Sequence, residues 1–295
     1  MPFLGEAAAL GTALCWTFGS LLFTLPSRKC GALAVNLTRI TLAFLVLAVL
    51  VFLTGSEGLG TLTRHRVLIL ALSGWVGLTL GDWALFTAYA QIGPRISTLV
   101  TALAPPMAAA MAIPVLSERI GIMGYLGMSI TLFGVVWVVL ERSATPMPRG
   151  HRIRGLFLAF LGAAGQAGGL VLSKLGMEGE VPPLTATMVR MAAATVGIWL
   201  VAGAGRRIPE VMCLLRDRAS GLAVIGATLI GPVTGVTLSL VAVSHTQAGI
   251  AATLMAPVPV FILPLVRVVY GEQVSLRAGL GAIIAVGGVA VLFLR

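Results

Sequence analysis

Residues 105–118 read PPMAAAMAIPVLSE, and residues 259–272 read PVFILPLVRVVYGE. Each stretch opens on a proline and closes on a glutamate thirteen residues later, Pro105 to Glu118 and Pro259 to Glu272. Both are almost wholly apolar between those ends. A shift of 154 lays one on the other, and the register extends outward. Gly127 falls on Gly281, Gly134 on Gly288, and the pair Gly77/Gly81 on Gly231/Gly235. Ala88, Ile96 and Ala102 fall on Ala242, Ile250 and Ala256. Arg39 and Arg190 recur at 151, a three-residue slip that unequal loops absorb. Matches among Gly and Ala are cheap in so apolar a chain; paired prolines and glutamates at equal spacing are not. The chain is a duplicated unit.

Composition says what solvent that unit uses. Hydrophobic residues are 58% of the 295 and charged residues 10%. A soluble surface needs roughly a quarter charged, so lipid must serve as solvent. Apolar runs of about 20 residues span a bilayer as helices, and lipid tolerates no open sheet edge. The spans predicted are 5–25, 33–54, 67–91, 95–117, 120–140, 154–173, 183–203, 220–243, 248–270 and 276–294. The fold class expected is all-α integral membrane, with ten transmembrane helices as two inverted five-helix repeats. Residues 1–140 form the first repeat, 141–153 a polar linker with Pro146 and Pro148, and 154–295 the second repeat. Five is odd, so the second repeat starts on the opposite face. Inverted repeats place a solute site between the halves near the midplane and let them rock between faces. The segment Arg206–Ser220 reads as a short amphipathic helix along the interface.

The net charge of +10 does not indicate nucleic acid. Its carriers, such as Arg64, Arg66, Arg149, Arg152 and Arg154, sit in gaps between apolar runs, where they anchor helices at membrane faces. Cys15, Cys30 and Cys213 are odd in number and widely spaced, which supports neither a disulfide framework nor a metal site. The N-terminal segment carries Glu6 in place of a basic stretch, so it reads as a first membrane helix rather than a cleaved signal.

The runs Ala84–Gly121 and Ser239–Ser275, each joining a small-residue third helix to the Pro-to-Glu fourth, resemble the drug/metabolite transporter superfamily, EamA type. The Gly-rich fifth helices, with Gly127/Gly134 and Gly281/Gly288, carry the resemblance across nearly the whole chain. One departure is Ser117, where the family usually has Gly before Glu. The resemblance implies a transporter of small metabolites such as amino acids, in the bacterial cytoplasmic (inner) membrane, with both termini cytoplasmic. Lys and Arg outside the spans are commoner on the face opposite the N-terminus, which by the positive-inside rule puts the N-terminus outside. The two warrants disagree, and orientation stays open at this point.

Candidate site residues follow from buried polarity. Asp82 lies about 13 Å from the end of the third span and Arg39 about 9 Å from the start of the second, measured from the same face. The two can neutralise each other, either as a fixed ion pair or as a proton or substrate switch. Arg190 has no matching carboxylate, because Val236 occupies the repeat position of Asp82. It can bind an anionic solute, pair with Asp82 across the axis, or snorkel to the interface. Trp16, Trp83, Tyr89, Gln91 and Gln166 are candidates to line a cavity that takes an apolar or aromatic solute, though for each alone interface anchoring or interhelical hydrogen bonding is the favoured reading. Pro105, Pro232, Pro257 and Pro259 break helices and free carbonyls, at a site or in mere packing. Glu118 and Glu272 read as acids in first helical turns, with Ser117 as a cap. His245 reads as a loop histidine.

A secondary transporter working by alternating access, with protons as the coupling ion, is the first functional reading. No GxxxxGK[ST] motif is present for ATP, and no cofactor or metal is implied. A channel-like facilitator is the second reading. A lipid-modifying enzyme is the third, disfavoured by ten acids with no clustered DxxD or HxxE. The solute and the bilayer are the expected partners, with a monomer as the simplest assembly.

Overall fold

The structure is a computed structural model that describes residues 3–54, 57–141, 149–177, 180–205, 211–258, 260–261, 265 and 276–293. Among these residues the regular structure is entirely helical. Helix α1 spans Leu4–Cys30 and α2 spans Ala32–Leu53. The single residue between them is Gly31 at φ 88°, a backbone conformation that a Cβ would oppose. After a 3-10 turn at Glu57–Thr61 come α3 (Arg64–Gly74), a π-helical segment (Trp75–Gly81) and α4 (Asp82–Thr101). Then follow α5 (Ala104–Leu116), α6 (Ile122–Glu141), α7 (Arg149–Met177) and α8 (Pro183–Ala204). The second half continues with α9 (Val211–Arg216), α10 (Arg218–Thr228), a second π-helical segment (Leu229–Gly235) and α11 (Val236–His245). Last come α12 (Ala248–Met255) and α13 (Leu276–Phe293).

Six helical stretches are long and apolar enough to cross a membrane: Leu4–Phe23, Leu33–Leu53, Arg64–Ala88, Ile153–Met177, Pro183–Ala204 and Arg218–His245. Three shorter apolar helices join them, Ala104–Leu116, Ile122–Trp137 and Gly279–Phe293. The outward faces are greasy, with Phe52, Leu53, Ile122, Phe157 and Ile283 all exposed. Only lipid makes such a surface inexpensive.

The duplication is visible in the packing. The two π-helical segments are 154 residues apart at both ends, Trp75 to Leu229 and Gly81 to Gly235. Each packs against the first helix of the other half. A Cβ on Gly165 or Gly169 of α7 would come within 2.8 Å of the Cα of Gly81 or Gly77. On the other side, Cys15 and Gly19 of α1 meet Gly235 and Gly231. Small residues thus bring these backbones together, as they do in membrane helix pairs generally. Helices α6 and α13 close the bundle. A Cβ on Gly134 would lie 2.6 Å from the Gly281 carbonyl, and one on Gly127 would lie 3.2 Å from the Gly288 carbonyl. Later residues of α6 therefore meet earlier residues of α13, and the two helices run antiparallel.

Four expectations need correction. Helical hydrogen bonding continues through Gln91–Arg95, where a break between spans was expected, and the ladder breaks instead at Ala102 and Leu103. Pro94 removes one donor yet leaves a helix free to continue, whereas the doubled Pro105–Pro106 stops it. The second half breaks at Ala256–Pro257, the same register, and also at Thr246–Gln247. Helix α7 begins at Arg149, inside the expected linker 141–153. Residues 142–148 lie outside the described residues, as do Pro259 and Glu272. Glu118 does not sit in the first turn of α6, which starts at Ile122; Ser117 instead ends α5 at φ 52°. That left-handed conformation is the one glycine adopts most readily, a physical reason for Gly at this position. Finally, Cys30 and Cys213 form a disulfide, their Cα atoms 5.5 Å apart and the residues 183 apart in sequence. No spacing rule finds a pair that distant. The bond joins the end of α1 to the short helix α9, beside an ion pair of Lys29 and Asp217 at 3.1 Å.

Candidate functional site

A charged cluster is buried at the centre of the bundle. Arg39 on α2 donates to Asp82 at 2.5 Å, and the two side chains are 5% and 12% exposed. Asp82 is the first residue after the first π-helical segment, so the widened turn sets where its carboxylate points. The Arg39 Nε also donates to Asn36 Oδ1 at 2.7 Å, one helical turn earlier. Three rings surround the guanidinium: Trp16 at 5.7 Å and Phe23 at 5.6 Å from α1, and Phe86 at 5.3 Å from α4. Cation–π contacts of this kind are strengthened where water is excluded. A cation without its carboxylate and rings would be costly here.

Arg190 on α8 lies across the same region. It is 4% exposed, and its Nε has no hydrogen-bond partner. Burial at this level excludes the snorkelling alternative. Gly74 and Gly77 make room for it: a Cβ on Gly74 would collide with the Arg190 carbonyl, and one on Gly77 would stand 3.5 Å from its Nη2. The guanidinium is therefore seated against the backbone of the first π-helical segment. Val236, at the repeat position of Asp82, is buried among apolar neighbours, so the cluster holds two arginines to one carboxylate.

The structure unites Trp16, Arg39 and Asp82, and sets Arg190 beside them. It adds Asn36, Phe23 and Phe86, which sequence reasoning missed. Asn36 stands one turn from Arg39 in an apolar run, and that spacing was the available signal. Trp83 and Gln166 are exposed and do not join the cluster. Gln91 is part-buried, with Oε1 unpaired; the Tyr89 side chain lies outside the described residues. Pro232 sits inside the second π-helical segment, Pro105 in the first turn of α5 and Pro257 in the break after α12. His245 ends α11, exposed, with Nδ1 at 2.9 Å from the Ser244 hydroxyl.

Glu118 takes a role the sequence did not suggest. Its Oε2 accepts from the backbone N–H of Ala248 at 2.9 Å, so it caps α12 of the other repeat rather than its own helix. Its Oε1 stands 2.6 Å from Lys174 Nζ.

Apolar helices in two related halves, closed around buried charge, define a multi-pass integral membrane protein built by duplication. The profile of the EamA-like transporter family matches residues 3–140 and again 153–294. The chain belongs to that family, whose members are transporters. A crystal structure of another protein shares the fold at a TM-score of 0.76 and 17% identity, covering 97% of this chain and 95% of that one. No curated protein matches the chain.

Proposed function

We propose that the protein is a secondary transporter that exports small metabolites carrying a carboxylate, amino acids foremost, by alternating access between two inverted five-helix repeats. Ten crossings complete this reading, with the short apolar helices α5, α6 and α13 among them. The bacterial cytoplasmic membrane is its setting.

The observation that carries the proposal is Arg190. A guanidinium 4% exposed with an unpaired Nε is an unfinished ion site. An isolated charge in a dry interior is destabilising, and a solute carboxylate would complete it with charge-assisted hydrogen bonds. Asp82, already bound to Arg39, is placed to sense that arrival. In this scheme a proton on Asp82 frees Arg39, so solute and proton compete for one balance of charge. The antiparallel α6–α13 crossing supports the inverted relation, which lets one site face either side in turn.

Counterflow of labelled amino acids in proteoliposomes tests this, across a panel that includes carboxylates lacking the amine. The expected result is uptake of at least one carboxylate solute, lost in Arg190→Gln. A protein that conducts ions at channel rates, or shows no counterflow for any solute, refutes the carrier reading. An imposed pH gradient that leaves the uptake rate unchanged removes protons from the scheme.

A further inference from the structure

The face where α1 begins is closed by polar groups from both repeats. Glu118 belongs to the connection after α5 of the first repeat. Lys174 lies in the last turn of α7 of the second, with Nζ 2.6 Å from Glu118 Oε1 and 2.6 Å from the Thr246 carbonyl. Glu118 Oε2 takes the Ala248 N–H, one of the donors a helix start leaves unpaired. The carboxylate is 8% exposed and the ammonium 24%. In front lies a cavity of about 390 Å³, walled by Glu6, Glu118, Lys174, His245, Thr246 and Gln247.

We propose that Glu118 and Lys174 form a latch that shuts this face, with the cavity as the vestibule in front of it. One carboxylate binds two elements of the opposite repeat, so parting the repeats here breaks both bonds together. The opposite face is held differently, by the Cys30–Cys213 disulfide and the Lys29–Asp217 pair. The latch on the α1 face is non-covalent, as is the Arg66–Glu180 pair at 2.6 Å that also joins the two repeats there, so exchange of ion-pair partners for water opens this face without breaking a covalent bond. Its use in transport rests on the alternating-access reading; its existence does not.

Cys15 reports on the latch. It is the free thiol of the three, half-buried on α1 and packed toward Gly235. It lies eleven residues past Leu4, about 16 Å from that face at 1.5 Å per residue. The alkylation rate of Cys15 by a charged maleimide is measured in purified wild type, Glu118→Gln, Lys174→Met and the exchanged pair E118K/K174E. Each single substitution is expected to raise the rate about tenfold, equivalent to about 1.4 kcal/mol. The exchanged pair restores the ion pair but not the cap on Ala248, so its rate falls between. Glu118→Gln keeps an oxygen for Ala248 and so isolates the charge. Lys174→Met preserves chain length at the more exposed partner and carries the test if the Glu118 variant loses its fold. Wild-type rates in a monodisperse Lys174→Met protein overturn the latch. Faster alkylation with no counterflow for any solute leaves the latch standing and removes the transport reading.

Discussion

Replacing Asp82 with Asn removes the carboxylate of the buried pair and keeps its shape. At 2.5 Å and an effective dielectric constant of about 20, the gross attraction between Arg39 and Asp82 is about 7 kcal/mol. Desolvation of two side chains only 5% and 12% exposed offsets most of that. Breaking such a pair from one side still costs about 3–5 kcal/mol, because the surviving charge is left buried. Asn36 and the rings of Trp16, Phe23 and Phe86 remain to solvate Arg39, which favours the lower figure. At roughly 2–4 °C per kcal/mol, the variant is expected to lose about 10 °C in apparent Tm, read as the surviving monodisperse peak after heating in detergent. The double variant Arg39→Gln, Asp82→Asn removes both charges and is expected to recover most of that loss, since a buried pair replaced whole is often nearly neutral. Transport separates structure from mechanism: a stable double variant that does not transport makes the pair a switch, and one that does makes it a strut. An Asp82→Asn protein with wild-type Tm would refute the geometry on which this reasoning stands.

Arg190→Gln is expected to leave apparent Tm within about 4 °C of wild type while raising KM for a carboxylate solute at least about tenfold, read by initial rates of uptake. Ser117→Gly should stabilise by about 1 kcal/mol, because φ 52° is strained for any residue with a Cβ; thermal scans in detergent read it. Gly134→Leu should exceed about 3 kcal/mol of destabilisation, since the Gly281 carbonyl and the backbone of Ala285 fill the space, and loss of the monodisperse peak reports it. Asp217 is held below its ordinary value near 3.8, first by the Ser220 hydroxyl and then by Lys29. A depressed folded value means that its contribution is present above the unfolded value and is lost as pH falls through the folded one. With Cys30 and Cys213 both replaced by Ser, amide protection factors across α9, taken relative to the intrinsic exchange rate at each pH, are therefore expected to be flat above pH 5 and to fall only below about pH 4.

Much of the fold was legible because duplication writes the same physical constraint twice. Pro105 and Pro259, Gly134 and Gly288, and Arg39 and Arg190 each report one place in the unit, and the shift of 154 returned in the ends of the π-helical segments. The segments themselves were not legible: a π turn keeps the residue types of an α-helix and alters only which carbonyl each N–H finds. Arg39 and Asp82 were legible as a pair because intramembrane charges must be neutralised and depth along a helix is simple arithmetic. Trp83 and Gln166 stayed ambiguous, because an amphipathic side chain in an apolar run is equally suited to a cavity and to an outward face. Glu118, Lys174 and Ala248 could not be linked in advance: they join three chain segments at contacts that no local period encodes. The Cys30–Cys213 bond was hidden for the same reason.

That sulfur bridge also says which water each face touches. Glutathione and thioredoxin keep thiols apart in a cytosol, whereas periplasmic and external surroundings let them stay joined. Helix α1 runs from Leu4 to Cys30, about 40 Å, so its two ends meet different compartments. On the proposed reading the end bearing Cys30 belongs to the oxidising side and the end bearing Leu4 to the reducing one. On the export reading proposed above, Arg216 and Arg218 beside Cys213 then look outward, against the usual charge bias, and the vestibule of Glu118 and Lys174 faces the cytosol.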